Sequence, residues 1–199
     1  LAVFDHDVIR LAELLNDFNR IFSLAPEASD EVEEKVVKFL REKAPNEIDS
    51  LEVRKIKDLI RRSEAAAAAK DFGLVDAQIH FLDLPFYHSG MVQKLPVSDA
   101  DVKICRKLFD DVAPEMIFAA GDMSDPHGTH RQCLEAALAA LDAYVKDGRG
   151  EPELWYYRGA WQEWSTEQID MAVPLSPDEM KAKRFAIFRH ESQKDKAMF

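Results

Sequence analysis

The sequence predicts an α/β domain with a mostly parallel sheet flanked by helices, on three observations. Apolar residues recur at steps of three and four through the first third of the chain. Two short apolar runs, Ala77 to Leu84 and Met116 to Ala120, are separated by one amphipathic segment. A Gly- and His-rich loop then leaves the second run and enters another long amphipathic segment. Strand, helix, strand and helix in that order is the pattern of parallel βαβ units, whose strands need a crossover of about a dozen residues or more.

Val8, Leu11, Leu15, Phe18 and Phe22 form the first helical stripe, which Pro26 ends. Asp30 with Glu33 has capping spacing before Val32, Val36 and Leu40, and Pro45 closes that helix. Asp49 with Glu52 opens a longer helix through Val53, Ile56 and Ile60 into the alanines 65–69, which lose little on becoming helical. Gly73 is placed as its C-cap.

Ala77 to Leu84 is expected as a buried strand, left by the loop Pro85-Phe86-Tyr87-His88. Ser98 with Asp101 caps a helix bearing Val102, Cys105, Leu108 and Phe109, and Met116 to Ala120 follows as a strand adjacent to the first. Both faces of a parallel sheet are expected to be buried. After the loop comes a helix through Leu134, Leu138, Leu141 and Val145, stopping before Gly148. Thr129 with Gln132 has capping-box spacing, which puts the helix start at His130. Leu154 to Arg158 and Ile169 to Val173 are further predicted strands, and Ser176-Pro177 with Glu179 opens the last helix.

Composition narrows the function. The 199 residues suit one domain over 1–199 with a sizeable core, and a formal charge of −11, from 37 acidic against 26 basic residues, opposes a nucleic-acid footprint. No apolar run reaches the roughly 20 residues of a membrane span. Cys105 and Cys133 fall at apolar helix positions and are expected as buried thiols in a reducing, cytoplasmic setting. The totals leave a homo-oligomer open. Leu1 stands where an initiator Met would, and the chain is expected to lack an upstream segment.

The loop after Ala120 runs Gly121-Asp122-Met123-Ser124-Asp125-Pro126-His127-Gly128-Thr129-His130. Ligands of open α/β sheets collect at the carboxyl ends of strands, where this loop lies. Histidines three apart at a helix entrance can face one small site, and Gly128 lets the backbone close around it. A catalytic zinc commonly takes three imidazole or carboxylate ligands and keeps one position for water. The same pair could instead bond loop carbonyls, and Asp125-Pro126 is a common turn opening.

Asp125-Pro126-His127-Gly128-Thr129-His130 resembles the third conserved segment of the LmbE/PIG-L family of zinc-dependent N-deacetylases, in which His-Pro-Asp-His follows a strand. Arg61-Arg62-Ser63-Glu64, Phe81 to Tyr87, and Lys183 to His190-Glu191-Ser192-Gln193 fall in that family's order. The chain is most similar to the deacetylase-like domain found behind a glucosamine-6-phosphate deaminase-like domain in bacterial fusion proteins.

That resemblance implies a Rossmann-like, LmbE-like fold that is N-terminally incomplete, lacking the first strand and the His-Pro-Asp-Asp/Glu signature that supplies the other zinc ligands. It implies His130 as a zinc ligand and His127 as donor to the developing oxyanion, with Asp125 beside them as a further catalytic candidate. Asp5-His6-Asp7 is rejected as a substitute signature: no strand precedes it and its acid–His order is wrong. Zn2+ is implied for the complete protein, and these 199 residues are expected not to hold a well-formed catalytic zinc.

Phe86, Tyr87 and His88 are candidates to wall a pocket for an N-acetylated amino-sugar-like molecule, although aromatic residues after a proline also serve ordinary loop packing. Arg158, at a strand end, can present a donor fork to a phosphate or carboxylate. Arg61 and Glu64 can pair on a helix surface, and with His190 they are implied to stand behind the site. The dense aromatic group from Trp155 to Trp164 must be partly core. The function so implied is zinc-dependent hydrolysis of an amide, inactive without the upstream segment. Its alternative is a non-catalytic module packed on a deaminase/isomerase-like domain of the same chain.

Overall fold

The structure, a computed structural model, describes residues 14–20, 22, 29–45, 47–87, 95–121, 123–124, 128–158 and 163–193. It forms two compact units, Leu1–Phe81 with Pro174–Phe199, and Leu82–Val173.

The first unit is helical. Residues 14–20 and residue 22 are helical, and α1 spans Ser29–Glu42, with Asp30 and Glu31 in its first turn where the macrodipole favours acids. α2 spans Leu51–Asp71 and buries Val53, Leu59, Glu64 and Ala68. Its N-cap is Ser50, whose Oγ accepts from Val53 N, so the Asp49–Glu52 cap expected from spacing is not formed. Asp49 instead accepts from Lys43 and Lys57, each at 2.6 Å. Gly73 follows the C-cap Phe72 with φ +84°, a conformation glycine adopts without a Cβ clash. The last helix, Pro177–Phe188, opens as the sequence predicts: Ser176 N donates to Glu179 Oε2 at 2.6 Å and Glu179 N to Ser176 Oγ at 3.2 Å.

The second unit carries the parallel βαβ pattern. α3 spans Asp99–Val112, β1 Met116–Ala120, α4 Thr129–Lys146 and β2 Glu153–Tyr157. The helix Pro177–Phe188 of the first unit is then α5 in chain order. β1 and β2 pair in parallel, Met116 with Glu153 through Ala120 with Tyr157. α3 packs on α4 around Cys105, Ala136 and Ala140, against which Leu82, Leu84, Val97, Val102 and Phe109 are packed. The result is α/β with a two-stranded parallel sheet among the described residues.

Several expectations are corrected. Ala77 to Leu84 is not a strand: Asp76–Gln78 is a 3-10 turn and Asp83 is left-handed at φ +51°. A strand needs a neighbour for its N–H and C=O groups, and β1 pairs with β2 rather than with this segment. Its residues divide instead, Phe81 lying under the Arg62 guanidinium in the first unit and Leu82 entering the second unit's cluster. Ile169 to Val173 is likewise outside the sheet, behind the 3-10 turn Thr166–Gln168. Nor are both sheet faces buried. The alternation of a strand places Met116, Phe118, Trp155 and Tyr157 on one face, where Phe118 is 59% and Tyr157 56% exposed. Cys105 is buried but Cys133 is exposed.

Candidate functional site

The site region is built at the carboxyl end of β1. Gly121 continues the ladder, its N–H donating to Tyr157 O at 2.8 Å. A Cβ at Gly121 would lie 2.8 Å from Tyr156 Cβ, so only glycine lets the two strand ends meet here. Gly128 then takes φ +69° as the N-cap of α4, which begins at Thr129. Thr129 is therefore the first helical residue rather than the cap expected from its spacing to Gln132. His130 stands exposed in the first turn. Asp125 and His127 lie outside the described residues, as does His88.

A hydrogen-bonded path ties the aromatic loop to this helix start. Gln132 Nε2 donates to Leu95 O at 2.6 Å, and Leu95 N donates to Phe86 O at 3.3 Å. Phe86 is 1% exposed and acts as an anchor, while Tyr87, at its edge with ring centroids 6.5 Å apart, is exposed. The path links Phe86 to Gln132, in the first turn of the helix that also carries His130; the sequence marked Gln132 only by its capping spacing to Thr129. A helix-start glutamine carries no signal in sequence that separates a cap from a tether.

Asp101 fixes the other side of the loop. Fully buried, it accepts from Phe86 N at 2.9 Å, Ser98 N at 2.8 Å and Ser98 Oγ at 2.6 Å. Burial pushes its pKa up, but the hydrogen bonds from Ser98 and the Phe86 and Ser98 amides outweigh it and hold the carboxyl below its ordinary value. The Ser98–Asp101 spacing was legible as a cap. Its bond to Phe86, fifteen residues upstream, was not.

At the end of β2, Arg158 Nε donates to Gly121 O at 3.4 Å, and its guanidinium carbon lies 3.6 Å from the centre of the Trp164 ring. Arg158 is thus at the same sheet edge as Gly121, and Trp164 is the partner that sequence reasoning left unassigned. Leu154 and Trp155 are half-buried while Tyr156 and Tyr157 are exposed, so the core share of this aromatic group is smaller than its density suggested.

Arg61, Glu64 and His190 belong to the first unit. The surface pairing expected of Arg61 with Glu64 is replaced: Glu64 is 2% exposed and accepts from Ser192 N at 2.7 Å and Ser192 Oγ at 2.6 Å, while Arg61 stays exposed. A buried carboxylate needs such donors. The link joins the Arg61–Glu64 and His190–Gln193 segments, with His190 half-buried after α5 and its N–H donating to Ile187 O. Arg189 reinforces it with two bonds to Asp71, at 2.7 and 3.1 Å.

Among the described residues no group of three His, Cys, Asp or Glu side chains is gathered that could hold a metal. His130 can fill one position of a zinc site that takes three protein ligands, so the described residues do not make such a site by themselves. No described helix is long and apolar enough to cross a membrane.

No family model matches the chain, and no solved structure matches it significantly. A glucosamine-6-phosphate deaminase-like protein of Bacteroides thetaiotaomicron is 45% identical over 203 residues, an alignment that covers 100% of this chain. The chain spans 31% of the length of that curated relative, and is therefore similar to one part of a longer deaminase-like protein.

Proposed function

We propose that this chain is the N-deacetylase module of an amino-sugar enzyme, hydrolysing the acetamide of an N-acetylated amino sugar to acetate and the free amine. The observation that carries this is the position of His130, in the first turn of the helix entered from the carboxyl end of a parallel strand, within the segment that resembles the LmbE/PIG-L deacetylases. The likeness to a glucosamine-6-phosphate deaminase-like protein supports the same pathway logic, since a deaminase of that name consumes an amino sugar whose nitrogen has been freed.

In the reaction a water oxygen bonds to the carbonyl carbon, the C–N bond breaks, and the leaving nitrogen takes a proton. His127 is the proposed donor to the carbonyl oxygen as it gains charge, with Asp125 as its neighbouring catalytic candidate. His130 is the proposed ligand that this chain offers to zinc, one of the three protein ligands that a catalytic zinc takes. Tyr87 is the exposed group available to a sugar, on the loop that buried Phe86 holds, and half-buried Arg158 is the group available to a phosphate or carboxylate. Glu64 is the structural carboxylate of the first unit, holding Ser192, and Arg61 and His190 stand on the two segments that it joins.

A second function is favoured by the uncovered apolar face of the sheet, which suits a non-catalytic module packed on a deaminase-like domain. Both are tested by assaying the full-length protein for acetate release from N-acetylglucosamine and its 6-phosphate, and separately for glucosamine-6-phosphate deamination. Acetate release is the expected result. Deamination without acetate release, impaired by Phe118→Asp, would replace the deacetylase by the packing module.

A further inference from the structure

We propose that Arg158, laid flat on Trp164 at the carboxyl edge of the sheet, is an anion-binding residue that receives a phosphate group of a small ligand. The carrying observation is a half-buried guanidinium stacked flat on Trp164 at the carboxyl end of the strands, with no carboxylate partner among the described residues. Other arginines of this acidic chain pair with carboxylates, Arg106 with Asp110 and Asp147, Arg189 with Asp71. Among the described residues no carboxylate pairs with Arg158. Partial burial of an unpaired charge is unfavourable, and an anion arriving from solution removes that cost.

The geometry suits such a ligand. The Nε–Gly121 O distance of 3.4 Å is at the long end of a hydrogen bond, so this contact orients the side chain more than it satisfies it. Stacking on Trp164 at 3.6 Å fixes the plane of the guanidinium. With Nε turned to the strand end, the two terminal nitrogens form the edge that matches two oxygens of a phosphate. Gly121 keeps the approach close, because its carbonyl can reach Arg158 only while no Cβ stands against Tyr156. The location is the sheet edge where ligands of parallel α/β sheets bind. This deepens the proposed deacetylase function, on which it rests for the rest of the substrate: the amino sugar is a sugar phosphate, anchored by Arg158 at its phosphate.

The test titrates the full-length protein with inorganic phosphate by calorimetry, comparing wild type with Arg158→Gln, Arg158→Lys and Trp164→Leu, each checked for an unchanged thermal unfolding midpoint. Saturable binding by wild type that weakens with added chloride is expected, with Arg158→Gln weaker by about tenfold or more. Arg158→Lys is expected to recover part of the affinity because it keeps charge but not the planar fork, and Trp164→Leu to lose part because it keeps Arg158 but not its platform. A wild type that does not bind phosphate, or an Arg158→Gln that binds it equally well, overturns the proposal. A deaminase-like part of the full-length protein can bind phosphate independently, so binding unaltered in all three variants counts as that second, overturning result. The deacetylase function is scored apart, by acetate release: if wild type releases none while phosphate binding still depends on Arg158, the anion site stands and the deacetylase falls. If acetate is released, Arg158→Gln is expected to raise KM for N-acetylglucosamine 6-phosphate and leave KM for N-acetylglucosamine unchanged. Equal KM effects on both sugars would also overturn the phosphate assignment.

Discussion

His130→Ala in the full-length protein is expected to lower zinc retention through dialysis and to cut acetate release by on the order of 10³-fold, because a zinc left with two protein ligands is poorly held and poorly oriented. His127→Ala is expected to keep its zinc and to lose about 10²-fold in kcat with little change in KM, since its proposed bond strengthens only as the carbonyl becomes tetrahedral. Paired zinc stoichiometry and steady-state kinetics of the two variants distinguish a ligand from a donor. Full zinc and full turnover in both would remove the loop from the active site.

Asp101→Ala is expected to destabilise the protein by about 3 kcal/mol, because it strands the buried Phe86 amide and removes both bonds to Ser98 at the start of α3. Asp101→Asn keeps the shape but can no longer accept all three, and should cost about half as much. The pH dependence follows from the depressed pKa. Native Asp101 binds its proton less readily than the unfolded chain does, so its contribution is fully present above the ordinary aspartate value of about 3.9 and is lost as pH falls through the lower native value. Denaturant midpoints between pH 2 and 7 should show an acid-side loss in wild type that is reduced in Asp101→Asn. A change under 0.5 kcal/mol for Asp101→Ala would mean that the loop is held by other contacts.

Local signals carried most of what the sequence disclosed. Ser98 with Asp101, and Ser176-Pro177 with Glu179, named helix starts because capping chemistry lies within four residues. Met116 to Ala120 and Leu154 to Arg158 were legible as strands, but the neighbour expected for the first was Ala77 to Leu84, whereas it pairs in parallel with Glu153–Tyr157. Ala77 to Leu84 looked equally strand-like, but whether such a run joins a ladder depends on a partner that its own residues do not specify. On α4 the large residues drew attention to Leu134, Leu138, Leu141 and Val145, of which Leu134 is buried, whereas the fully buried contact is made by Ala136 and Ala140, whose small side chains admit α3. In the candidate site, His130 and Arg158 were singled out from their chemistry. Gln132, Trp164 and the depth of Glu64 were not: Gln132 and Glu64 acquire their roles from residues distant in sequence, Leu95 and Ser192, and Trp164 from the fold of the short segment that returns it to Arg158.

The placement of the site at the carboxyl end of β1 is tested most directly by locating zinc in crystals of the full-length protein through its anomalous scattering. A peak about 2.0 to 2.1 Å from a ring nitrogen of His130 is the predicted result. A fully occupied zinc elsewhere in the molecule, with His130 not coordinating it, would contradict the account.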